Sequence, residues 1–110
     1  MPRVQNQVRK QIQQMVKRIV RQFDPEKIIL FGSCARREAG PDSDVDLLIV
    51  MPVEGSKRTV QLDIRQALHG LHVPKDVIVC TPEEFEWRRE VVGTIERPAA
   101  REGKVLYARR

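Results

Sequence analysis

Apolar residues recur in the first part of the chain at steps of three and four positions, the spacing of one side of an α-helix. This stripe runs over residues 4–23, and Asp24-Pro25 follows it as a stop. A second stripe of the same kind covers residues 57–70, with Ser56 before it and Gly70 as a stop. The pattern therefore predicts two amphipathic helices, each with one side facing a core.

Short apolar runs rich in β-branched residues predict strands at 27–31, 45–51, 76–80 and 104–107. The segment Thr81-Pro82-Glu83-Glu84 has the form of a capping box with proline at the first helical position, so it predicts a third helix start. Pro98 is expected to limit any helix across 94–102. We predict an α/β domain of the α+β type, in which helices back one face of a small mixed sheet.

A length of 110 residues allows one domain, spanning 1–110, with a modest core. Such a domain buries roughly two thirds of the surface of its unfolded chain. We expect no second substrate domain within it. The acceptor site of any transfer reaction is therefore expected to come from a partner or from a second copy of the chain.

The net charge of +5 is concentrated in the first predicted helix. Nucleic acid or an acidic protein surface would suit this charge. No aromatic side chain lies among these basic residues to stack on bases, so a solvated helix face is the favoured interpretation. The basic residues concerned are Arg3, Arg9, Lys10, Lys17, Arg18 and Arg21.

The two cysteines, Cys34 and Cys80, have neither a signal peptide before them nor the spacing of a zinc site. Reduced thiols in a cytoplasmic protein are expected. No apolar run approaches the length needed to span a membrane, so we expect no membrane association.

Candidate chemistry begins where the 27–31 strand ends, at Gly32-Ser33. Glycine lets the backbone turn sharply and approach a ligand, and Ser33 fits as the N-cap of a short helix over 33–37. Unpaired N–H groups at such a helix start can hold a phosphate, and Arg36 can add a charged contact. A tight turn with a serine cap and no ligand is the structural alternative.

Two carboxylates, Asp44 and Asp46, open the next predicted strand and share one face, with Cα atoms about 7 Å apart. They repel each other unless a cation lies between them, and Mg²⁺ takes such oxygen ligands. Asp76 opens the 76–80 strand and would join them if the two strands are neighbours. Three acids can hold two metal ions, with Asp76 as a bridging ligand or general base. A turn at 42–44 and a solvated strand start at Asp76 remain the alternatives.

This arrangement resembles the nucleotidyltransferase superfamily of the DNA polymerase β type, whose signature is Gly-Ser, ten residues, then Asp-x-Asp. Gly32, Ser33, Asp44 and Asp46 match that signature residue for residue. The resemblance implies a polymerase β-like fold. It also implies nucleotide binding by Gly32, Ser33 and Arg36, and metal binding and catalysis by Asp44, Asp46 and Asp76.

Within that superfamily the chain is similar to the minimal nucleotidyltransferases, which are often encoded beside a HEPN-domain protein and in several cases act as its antitoxin. The resemblance implies transfer of AMP from ATP to a hydroxyl group, on a HEPN-type partner protein, with Mg²⁺ or Mn²⁺ as the metal. Two alternatives are open: an antitoxin that inhibits a HEPN-type ribonuclease only by covering it, and a transferase acting on a small molecule such as an aminoglycoside. A homo-oligomer is open as well.

Overall fold

A computed structural model describes residues 2–32, 35 and 44–109, with side chains described from residue 8 onward. All four predicted strands and the capping-box helix are present, and the predicted 57–70 helix ends three residues early, at Ala67. In chain order the elements are α1 (Pro2–Phe23), β1 (Lys27–Phe31), β2 (Val45–Val50), α2 (Lys57–Ala67), β3 (Lys75–Cys80), α3 (Pro82–Arg88), α4 (Glu96–Glu102) and β4 (Lys104–Ala108).

The four strands form one mixed sheet in the order β3-β2-β1-β4. β1 is antiparallel to both β2 and β4, whereas β2 and β3 are parallel. Parallel neighbours need a crossover connection, and α2 supplies it. The predicted α+β domain with a small mixed sheet is confirmed.

Helices cover both faces of the sheet, so the prediction of one covered face is wrong. Alternate residues of the strands point to opposite faces, and both sets are apolar. On one face, β-strand residues such as Leu47 pack with Met15 and Ile19 of α1 and Ile64 of α2. On the other face, Leu48 packs in a smaller cluster that includes Phe85 of α3 and residue 99 of α4.

Helix α4 forms across the segment that Pro98 was expected to interrupt. Pro98 is the third residue of the helix, where the backbone N–H has no intrahelical partner, so its missing donor costs little. The Thr94 hydroxyl accepts a hydrogen bond from the Arg97 N–H at 3.2 Å and satisfies another donor of this first turn. A proline early in a helix therefore marks a start here and not a break.

The basic side of α1 is largely solvated, as expected: Arg9, Lys10, Lys17 and Arg21 are exposed. Arg18 differs, because its guanidinium donates hydrogen bonds to the carbonyls of residues 67 and 69, at 3.2 and 2.9 Å. Carbonyls at a helix end lack intrahelical partners, so this contact ties α1 to the end of α2. None of the described helices is long and apolar enough to cross a membrane.

Candidate active site

Asp46 of β2 and Asp76 of β3 are direct partners in the parallel register. Paired residues of neighbouring strands lie on the same face, with strands about 4.8 Å apart. The condition set by the sequence, that the two strands be neighbours, is therefore met. Asp44 precedes β2 by one residue and is exposed.

The electrostatic environment of Asp46 shows that these carboxylates influence one another. Burial raises the pKa of Asp46, and the negative charges of Asp76 and Asp44 raise it further. Like charges disfavour ionisation of a shared site, and a cation reverses that effect. The end of the sheet at which β2 and β3 begin thus carries negative charge. A cation bound there would stabilise the ionised carboxylates.

Asp76 already has a cationic neighbour. The guanidinium of Arg65, on α2, donates a 2.8 Å hydrogen bond to the Asp76 carboxylate. About half of each side chain is exposed, at 50% and 46%, so the pair adds little to stability. Its main effect is to fix the orientation of the Asp76 carboxylate. The sequence carried no sign of Arg65, because the contact depends on how α2 packs along β3.

Gly32 lies directly against Asp46, since Phe31, the last residue of β1, is paired with Asp46 in the sheet. The φ angle of Gly32 is +76°, and a Cβ at this position would collide with the Asp46 carboxylate. The Ala35 N–H donates to the Gly32 carbonyl at 3.1 Å and closes a turn. The glycine is therefore required both by the turn and by the acid beside it.

The predicted short helix over 33–37, with Ser33 and Arg36, lies outside the described residues, as does Cys34. The roles of Ser33 and Arg36 in nucleotide binding stay predictions. The described residues do establish the position of Gly32, which directly precedes Ser33 in the chain. Gly32 starts the turn on the β1 side of Asp46, opposite the side occupied by Asp76.

The donor atoms available at this edge suit a divalent cation. Carboxylate oxygens are the preferred ligands of Mg²⁺, which usually binds one or two protein carboxylates and completes its shell with water and substrate phosphate. No group of three or more His, Cys, Asp or Glu side chains in the described part of the chain is close enough to form a complete metal site. Asp46 and Asp76 are the two candidate ligands that the strand register of the described residues pairs directly.

A cleft of about 390 Å³ lies at the outer edge of β3, between α2 and the segment that joins α3 to α4. Its lining includes Lys57, Gln61, Ile78, Arg88, Ile95 and Glu96. Glu96 is a buried carboxylate, only 5% exposed, and lies 3.7 Å from the Arg88 guanidinium. No motif in the sequence indicated this cleft, because its residues come from separate elements.

A family model described as "Nucleotidyltransferase domain" matches residues 9–100. Among solved structures, a protein from Sulfolobus solfataricus described as a candidate nucleotidyltransferase is 22% identical, with a TM-score of 0.66. The match covers 94% of this chain and 84% of that one. At this identity the likeness shows a shared fold. No curated protein has a significant match to the chain.

Proposed function

Since the chain belongs to the nucleotidyltransferase domain family, we propose that it is a divalent-metal-dependent enzyme that moves AMP from ATP to a hydroxyl group on a partner protein. The single observation that carries the proposal is the register of β2 and β3. It brings Asp46 and Asp76 together beside the turn that Gly32 begins. A turn for phosphate next to paired acids is the arrangement that phosphoryl-type transfer requires.

In the proposed reaction the acceptor oxygen forms a bond to the α-phosphorus while the bond from that phosphorus to the bridging oxygen of pyrophosphate breaks. The acceptor proton passes to the Asp76 carboxylate, acting as general base, and pyrophosphate takes the electron pair. Arg65 holds Asp76 in place for that transfer. A bound Mg²⁺ or Mn²⁺ would neutralise phosphate charge.

Asp44 and Asp46 would hold the metal ion, and Asp76 would be its third carboxylate ligand. The pKa of Asp46, raised by burial and by the two neighbouring acids, supports this assignment, because cation binding relieves that repulsion. The turn that starts at Gly32 would carry the phosphates, with Ser33 and Arg36 contributing contacts. ATP as the nucleotide, and a HEPN-domain protein as the partner, follow from the resemblance to minimal nucleotidyltransferases.

The test is incubation of the purified chain with ATP labelled at the α-phosphorus, Mg²⁺ and the protein encoded beside it, followed by intact-mass analysis. The expected result is an AMP adduct on the partner that is lost in Asp44→Asn and in Asp46→Asn. Asp63→Asn, which changes an exposed carboxylate on α2, is the matched control and should keep transfer. Equal labelling by Asp46→Asn would overturn the assignment. A stable complex without any adduct would favour an antitoxin that acts by covering its target.

A further inference from the structure

We propose that the cleft between α2, β3 and the α3–α4 segment receives the acceptor, and that the acceptor is a hydroxyl-bearing segment of a protein. This inference rests on the proposed function and deepens it by naming the acceptor site. It uses residues that no signature motif contains, among them Lys57, Gln61 and Ile95.

The first argument for an acceptor site is the position of the cleft relative to the turn that begins at Gly32. In the sheet order β3-β2-β1, Gly32 follows β1 and the cleft borders β3, so they lie on opposite sides of Asp46. In transfer at phosphorus the attacking and leaving oxygens are roughly in line, on opposite sides of the phosphorus. If pyrophosphate leaves towards the turn at Gly32, the attacking hydroxyl must come from the β3 side.

Shared residues connect the cleft to the acids. Gln61 lines the cleft and also a smaller hollow of about 210 Å³, whose other wall includes Arg65. Arg65 in turn contacts Asp76. Ile78, which lines the cleft, lies two residues beyond Asp76 on the same face of β3. An acceptor seated in the cleft would therefore reach the proposed general base along β3.

The charges of the cleft are balanced within it. The Lys57 ammonium lies 2.8 Å from the Glu84 carboxylate, and the Arg88 guanidinium lies 3.8 Å from Glu84 and 3.7 Å from Glu96. Basic groups that are already paired give little attraction for the phosphates of a nucleic acid. Paired acids likewise give little attraction for a polycationic small molecule. The electrostatics therefore favour an acceptor of low net charge.

Exposed apolar side chains occur in the α3–α4 segment, part of which lines the cleft. Four large apolar side chains follow one another in the segment 87–95: Trp87, Val91, Val92 and Ile95, exposed by 57%, 39%, 78% and 42%. Ile95 lines the cleft, and the Trp87 ring centre lies 5.2 Å from the guanidinium of Arg88, another lining residue. Exposed apolar patches with polar borders are typical of protein interaction sites, and exposed Trp is a frequent anchor. Ile95 in the lining and Trp87 beside Arg88 point to a protein segment as the occupant.

The test is a kinetic comparison of Ile95→Arg with Val105→Arg, using the partner protein that the labelling experiment identifies. Both side chains are exposed, but Val105 lies on β4, at the opposite edge of the sheet. We expect Ile95→Arg to raise the KM for the partner at least tenfold. The Kd for ATP with Mg²⁺ should change by less than about twofold, and the Tm should change by less than about 2 °C. Val105→Arg should leave all three unchanged.

An unchanged KM in Ile95→Arg, while the wild type transfers AMP, would overturn the acceptor cleft and leave the proposed function standing. A rise in the Kd for ATP as large as the rise in the KM for the partner would also overturn the acceptor cleft, because the cleft would then hold the nucleotide. AMP transferred to RNA and not to protein would overturn the protein acceptor. Absence of any transfer by the wild type would defeat the proposed function and this inference together. Trp87→Ala, expected to raise the same KM, gives a second variant that adds no charge.

Discussion

The carboxylate of Asp46 occupies the space that a Cβ on residue 32 would need. Gly32 and Asp46 come from different strands and are separated in the chain by the whole of the 33–45 segment. Their contact means that the first residue of the proposed phosphate turn packs directly against the central acid of the candidate site. A side chain at residue 32 would therefore displace the Asp46 carboxylate.

Gly32→Ala should therefore abolish transfer, whereas Gly70→Ala should not. Both glycines have positive φ, +76° and +93°, so both substitutions place a side chain in the left-handed region at a cost of roughly 1–2 kcal/mol. Only position 32 adds a collision, since no atom lies within 4 Å of a Cβ at Gly70. Thermal unfolding and labelling assays on the two variants separate the shared backbone cost from the loss of site geometry. Normal transfer by Gly32→Ala would contradict this account.

The stability of the protein should depend on the ionisation of Asp46 in the direction opposite to that of most carboxylates. The folded-state pKa of Asp46 is raised above its ordinary value of 3.8, by burial first and then by Asp76 and Asp44. The folded state therefore binds the proton more tightly than the unfolded state. The stability that proton binding by Asp46 contributes is complete below the ordinary pKa of 3.8. It is lost as the pH rises through the raised pKa of the folded state.

Asp46→Asn should remove that dependence and raise the Tm at neutral pH, because the partly buried charge that Asp76 and Asp44 repel is gone. Mg²⁺ should raise the Tm of the wild type and have a smaller effect on the variant, since binding to the folded state is what stabilises it. Thermal unfolding between pH 3 and pH 8, with and without Mg²⁺, gives both results. A lower Tm for Asp46→Asn at neutral pH would count against mutual repulsion of the acids.

Arg65 should affect the rate of transfer more than the binding of ATP. Its guanidinium orients the Asp76 carboxylate, and small errors in the position of a catalytic group are costly to the rate. Arg65→Met is expected to lower kcat roughly tenfold with little change in the KM for ATP, and Arg65→Lys should restore part of the rate. Arg58→Met is the matched control, because Arg58 is exposed on the same helix and lines the same hollow. A parallel rise in the KM for ATP would assign Arg65 to nucleotide binding.

Glu84 should contribute stability that disappears in acid. A hydrogen bond from Lys57 lowers the pKa of Glu84 most, and the Thr81 N–H lowers it further. This contribution is present above the unfolded value of 4.5 and is lost as the pH falls through the lowered folded value. Glu84→Gln keeps the capping box, since glutamine also fills it, but removes the charge.

The expected result is a lower Tm for Glu84→Gln at pH 7, with the difference from the wild type closing as the pH falls through the lowered pKa of Glu84. Glu86→Gln, in which the replaced side chain is 74% exposed on the same helix, should show almost no difference at either pH. A gap of constant size across the pH range would mean that packing, and not the charge of Glu84, sets its contribution.

The parts of the fold that follow from local pattern were predictable. Short apolar runs located the strands, a period of 3.6 residues located the two long helices, and the Thr81 to Glu84 segment located α3, because these signals are local. The covered faces were not predictable in the same way. The second apolar face of Leu48 and its neighbours shows only when α3 and α4 are placed on it. Pro98 misled the prediction because its effect depends on its position within the turn.

In the candidate site, too, the residues with a local sequence signal were predictable and those brought in by tertiary packing were not. Asp44, Asp46 and Gly32 were identified by spacing within one connection, and Asp76 by its place at a strand start. Arg65 and the β3 cleft were missed, because α2 meets β3 only through tertiary packing. Trp87 is 57% exposed, which its local sequence does not indicate, because an indole usually packs in a core or an interface.

The parallel pairing of β2 with β3 also decides where this chain tolerates insertions. The loop before α2, at 52–56, is largely exposed and can lengthen at a modest entropic cost while Asp46 and Asp76 stay in register. One residue inserted inside β3 ahead of Ile78 would turn Asp76 to the opposite face and away from Asp46. Length variation should therefore accumulate before the crossover helix and be absent from the two strands, which makes the crossover the natural place to graft new acceptor specificity.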